Sequence, residues 1–79
     1  MDIDYLVRMA NDIGAFFASE DDETLAATSI HQHLKRFWDQ RMKSRIVAHY
    51  AETGGLGLEG AVRVAVRKLA EEHSVAQKS

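Results

Sequence analysis

A chain of 79 residues with 10 Lys and Arg against 12 Asp and Glu has room for one domain and a marginal core. It has no cysteine, so neither a disulfide nor a thiolate metal site makes up the shortfall, and oligomerisation or docking on a larger partner is the remaining source of stability. A net charge of −2, no leader-like apolar segment and no apolar run of membrane-spanning length point to a soluble, cytoplasmic protein with no membrane partner.

Ile3, Leu6, Ala10, Ile13 and Phe17 recur at helical spacing, with Met9 and Phe16 widening the stripe. They predict a first helix from about Asp4 to Ala18. Asp2 and Asp4 suit its positive end. Gly14 lies inside it at a cost of about 1 kcal/mol against Ala, either for close backbone packing or as simple tolerance. The polar run Ser19 to Glu23 breaks the pattern, with Asp21 or Asp22 as the next N-cap. Its four acids lack the alternate ligand spacing and the glycine of a calcium loop, so they read as a solvated helix start.

A second helix follows over about Glu23 to Phe37, with Ala26, Ala27, Ile30, Leu34 and Phe37 as its apolar face. His31 and His33 are two apart and diverge on a helix, so they make no helical metal pair. Trp38 comes next. Asp39 then caps a third helix that ends near Glu52 or Thr53, with Met42, Ile46 and Tyr50 facing the core. Lys35, Arg36, Arg41, Lys43 and Arg45 surround this corner, and Arg41 and Arg45 share a face. The Gly54-Gly55-Leu56-Gly57-Leu58 segment ends the third helix. It follows a helix rather than a strand and has no Lys-Ser/Thr continuation, which argues against a phosphate loop. A fourth helix over about Glu59 to Glu72 carries Leu58, Val62, Ala65, Val66 and Leu69 on one side. The result is an all-α fold, a small bundle of four short helices. It is a single helical domain over residues 1–73 with a disordered tail over 74–79.

The charge is unevenly divided. Residues 1–34 carry seven acids and one base, or −6, and residues 35–79 carry nine bases and five acids, or +4. Such an imbalance steers a charged partner or arises by chance. No hydroxyl among Ser19, Thr28, Ser29 and Ser44 has a His–Asp arrangement around it, and His49 with Glu52 reads as a surface pair. The chain is therefore expected to be no enzyme on its own, with no catalytic, cofactor-binding or metal residues. Two functions stay open. One is an assembly subunit of a larger complex, its interface built from Phe37, Trp38, Arg41 and Met42 with Lys35 and Arg45, residue types enriched at interface centres. The alternative is a small helical nucleic-acid-binding or regulatory module using the basic corner from Lys35 to Arg45.

Three blocks, in order, carry a resemblance to a known family. They are Met9-Ala10-Asn11 with Ile13 and Phe16-Phe17, then His33-Leu34-Lys35 leading into Phe37-Trp38 and Arg41-Met42, then Gly54-Gly55 with Gly57-Leu58 before an apolar-basic helix. Across about residues 5–70 the chain resembles the delta subunit of the cytoplasmic, NAD-dependent, molybdenum-containing formate dehydrogenases. Gln40 stands where that pattern has Pro after the acidic residue, and Gly60 where a second Pro is often found. The resemblance implies a non-catalytic accessory subunit that stabilises or assembles a complex oxidising formate to carbon dioxide, with cofactor insertion as one form of that role. It implies a large catalytic alpha subunit as partner. It also implies that the molybdenum pterin cofactor, iron–sulfur clusters, FMN and the NAD site belong to partner chains. It carries no nucleic-acid partner, and the small core leaves a homo-oligomer open as a state of the isolated chain.

Overall fold

The computed structural model describes residues 2–73 in full and folds as a bundle of four helices. They are α1 (Ile3–Phe16), α2 (Glu23–Phe37), α3 (Gln40–Thr53) and α4 (Gly60–Lys78), with no strand among the described residues. Of the tail expected over 74–79, residue 79 and the side chains of 74–78 lie outside the described residues, and the backbone of 74–78 belongs to α4.

Three aspartates start three of the helices. Asp2 Oδ1 accepts from the Asp4 amide at 3.0 Å, Asp22 Oδ1 from Thr24 at 2.9 Å and Asp39 Oδ1 from Met42 at 2.9 Å. Each supplies a partner to an amide that the helix leaves unpaired. At the other end of α3, Gly54 takes φ 74° and its N–H donates to the Tyr50 carbonyl at 2.8 Å. A left-handed residue of this kind is where glycine has no steric penalty.

Leu6, Ala10, Ile30, Leu34, Trp38, Ile46, Leu58, Val62, Ala65, Val66 and Leu69 form one buried cluster. α4 contributes four of these and is packed by the other three helices. Gly14 settles the question raised by its place in a helix. An added Cβ there would collide with Val62 Cγ2, so the glycine lets α1 lie directly on α4.

Two aromatic residues depart from the predicted stripes. Phe16 is 78% exposed, because α1 ends there, two residues short of the expected Ala18, and Phe17 turns in against the core instead. Phe37 is 66% exposed while Trp38 is 5% exposed. The backbone leaves the helix at Trp38 (φ −80°, ψ 137°), which swings the larger ring inward and leaves Phe37 on the outside of the last turn.

Candidate protein-interaction surface

The α2–α3 corner is held by backbone and charge together. The Trp38 N–H donates to the Leu34 carbonyl at 3.1 Å, and the Lys43 amide donates to the Asp39 carbonyl at 3.0 Å. Lys43 Nζ reaches the Lys35 carbonyl at 3.5 Å and so brings a cation to the negative end of α2. Trp38 fills the space under the turn. It orients its neighbours from inside and offers no ring to a partner.

The residues predicted for an interface fall on three sides of this corner rather than one. Phe37 faces outward with Arg36 above its ring at 5.6 Å, a cation–π distance. Lys35 is turned toward α4, where its Nζ lies 3.8 Å from Glu72 Oε2, and His31 Nε2 donates to Glu72 Oε1 at 2.9 Å. Arg41 and Arg45 lie along α3 with Gln40, Ser44 and Ala48, lining a shallow hollow. Met42 packs half-buried against the core.

Phe37 is also the end of a larger feature that stripe-reading along single helices misses. His33 lies against Phe37 with ring centres 4.7 Å apart and the planes tilted by 44°, Phe17 meets His33 at 6.3 Å, and Phe16 stands edge-on to Phe17 at 5.1 Å and 88°. Four rings from α1, the turn after it and α2 thus make one continuous ridge, capped at both ends by an exposed Phe. Such ring pairs gain from edge-to-face geometry beyond their buried area. Exposed aromatic side chains beside Arg are also the usual material of interface centres. The signal in the sequence is the doubled Phe16-Phe17 and the His33/Phe37 i,i+4 spacing, but only the crossing of α1 over α2 joins them.

A second unforeseen element is Asn11. Its Nδ2 donates to the Gly57 carbonyl at 2.9 Å, and its Oδ1 accepts from the Glu59 amide at 3.1 Å. One side-chain amide therefore satisfies both a donor and an acceptor of the α3–α4 loop from 46 and 48 positions away. His49 Nε2 donates to the Leu56 carbonyl at 2.7 Å, and Thr53 Oγ1 accepts from the Gly55 and Leu56 amides. His49 is thus committed to the loop rather than paired with Glu52. The loop is also tight: Gly57 has φ 88°, and a Cβ there would stand 3.2 Å from Val7 Cγ1. Gly57, Asn11 and α1 fit one another as a set.

Among the described residues no three His, Asp or Glu side chains are placed to hold a metal ion, and no helix is long and apolar enough to cross a membrane. The acidic run Glu20–Glu23 is exposed, with Glu23 in the first turn of α2.

No curated protein and no solved structure matches the chain. A family model does. It is described as the NADH-dependent formate dehydrogenase delta subunit FdsD, and the match covers residues 5–66, from α1 into the first half of α4. That span contains the Asn11 clamp, the aromatic ridge, the Trp38 corner and the glycine loop. The chain accordingly belongs to the delta-subunit family of NADH-dependent formate dehydrogenase, as an accessory rather than catalytic subunit of that complex.

Proposed function

We propose that this chain assembles or stabilises a molybdenum-containing, NAD-dependent formate dehydrogenase in the cytoplasm, by docking on the large catalytic alpha subunit of the enzyme that oxidises formate to carbon dioxide. Insertion of the molybdenum pterin cofactor is the assembly step it would serve. The molybdenum pterin cofactor, iron–sulfur clusters and FMN, and the site that uses NAD, are assigned to partner subunits. The donor atoms of the described residues form no ligand cluster for a metal.

The observation that supports docking best is the Phe37-Trp38 pair, one ring buried and the next one out. Trp38 is accounted for by the core. Phe37 is not: a largely exposed ring in tilted contact with His33 adds little to the fold of an isolated chain, whereas it is worth a great deal once a partner covers it. Phe37, Arg41 and Arg45 are the proposed contact residues, with Trp38 and Met42 holding the corner and Lys35 at its margin.

Affinity capture of the tagged chain from native extract tests this, with bound proteins identified and metal content measured. The expected result is a large iron–sulfur subunit and molybdenum in the captured material, reduced in the Phe37→Ala and Arg41→Glu variants. Capture at wild-type yield by both folded variants would remove the proposed contact residues. A chain that associates with no redox protein at any stage of assembly would remove the function.

A further inference from the structure

We infer that the outer face of α3, built from Arg41, Ser44, Arg45 and Ala48, seats a helix of the partner subunit that carries two carboxylates one turn apart. This rests on the proposed role in a formate dehydrogenase complex and specifies the chemistry of the partner surface.

The positions are i, i+3, i+4 and i+7, so they form one strip along the helix, and together with Gln40 they line one hollow. Its lining is mainly apolar, so the arginines contribute their aliphatic stems beside Ser44 and Ala48, and the two basic side chains lie one turn apart on the strip. The small residues Ser44 and Ala48 let a second helix approach closely, and each of two guanidinium groups one turn apart gives a planar, bidentate match to a carboxylate. Neither Arg41 nor Arg45 forms an ion pair or ring contact with the described residues, whereas Lys35 and Arg36 both have a partner within the chain. α3 also carries no acid until Glu52, near its last turn. The strip is thus a positive face left without a counter-charge by its own chain.

The complementary surface is not found in a second copy. On α1, the face with Asp4 and Asp12 has Arg8 midway between them. Asp2, Asp22 and Asp39 are used as caps, and Glu72 is engaged by His31 and Lys35. The run Glu20–Asp22 lies in a turn rather than along a helix face. A long polyanion is disfavoured as well, because the first 34 residues carry −6. A short acidic helix on another protein fits both the spacing and the charge.

The test uses the full chain and the catalytic subunit of its own complex, produced together. Affinity is measured for the wild type, for Arg41→Glu, for Arg45→Glu and for the double variant, at low salt and at about 0.5 M salt where exposed charges are screened. Far-UV circular dichroism checks that the fold is kept. Each single reversal is expected to weaken binding about 10-fold and the double about 100-fold, with the wild-type affinity falling as salt rises and the double variant losing that dependence. In a second arm, Arg41→Lys/Arg45→Lys keeps the charge and provides amines. Carbodiimide coupling is expected to join these lysines to Asp or Glu on one helix of the partner. Unchanged affinity of the double variant overturns the inference while leaving the role in the complex intact. Cross-links only to non-helical segments overturn it too, as does self-association or duplex DNA binding that depends on Arg41 and Arg45. Failure of the wild-type chain to bind the catalytic subunit at all removes the functional reading and this inference together.

Discussion

Replacing Gly14 with Ala sets two effects of known size against each other. Within a helix, Ala is preferred to Gly by up to about 1 kcal/mol, and an exposed position would show that gain. Here the new methyl collides with Val62 Cγ2 and sits 3.9 Å from Ile30 Cδ1. Val62 is 2% exposed and belongs to the buried cluster, so moving its methyl disturbs core packing. A β-branched side chain in a helix also holds one χ1 rotamer strongly, which removes the easiest escape. Overpacking a filled core costs about 1–3 kcal/mol, so Gly14→Ala is expected to destabilise by about 1–2 kcal/mol net. For a domain of this size that lowers Tm by roughly 5–15 °C. Val62→Ala removes the obstructing methyls and supplies the decisive comparison. On its own it costs about 2 kcal/mol of packing, but in its background Gly14→Ala should become stabilising by about 0.5 kcal/mol. Thermal and urea unfolding of the four proteins of this cycle yield the coupling directly. A single Gly14→Ala variant more stable than wild type would refute the close approach of α1 and α4.

Trp38→Ala is expected to cost about 3–5 kcal/mol and leave little folded protein, while Phe37→Ala should change stability by less than about 0.5 kcal/mol, as unfolding curves will show. Asn11→Ala removes two hydrogen bonds of the α3–α4 loop and should cost about 1–2 kcal/mol. Faster hydrogen exchange at the Glu59 amide is its specific signature. Asp39→Ala deprives the Met42 amide of its acceptor and should cost about 1 kcal/mol, with Asp39→Asn recovering most of it in thermal unfolding.

Much of this architecture is written locally. Asp22 and Asp39 announce their helices because a capping side chain acts on amides two or three residues away, and α2 and α3 lie where their apolar periods put them. The core face of α4 is legible for the same reason: Leu58, Val62, Ala65, Val66 and Leu69 repeat at 3.6 and are all buried. What periodicity does not encode is which of two adjacent rings turns inward at the point where a helix stops. Phe37 continues the α2 stripe, yet the bend at Trp38 decides the outcome, and it is set by the Asp39 cap and the direction of α3. Nor does periodicity show that Lys35 would be drawn to Glu72 and away from Arg41, since that depends on α4 passing beside α2. Asn11 is the clearest case. A mid-helix Asn reads as a neutral surface residue until its two partners, far along the chain, are brought to it.

That long-range bond has a bearing on how the molecule comes into being. The turn joining the last two helices is completed by a side chain from the first, so its closure is a late and non-local event, delayed by the loop entropy of the intervening chain. As the polypeptide leaves the ribosome, α1 can meet α2 first, but Asn11 has no loop partner until the glycines of the turn emerge. A fragment holding α3 and α4 alone would lack the side chain that ties down the loop between them, and would hold its two helices less firmly in register.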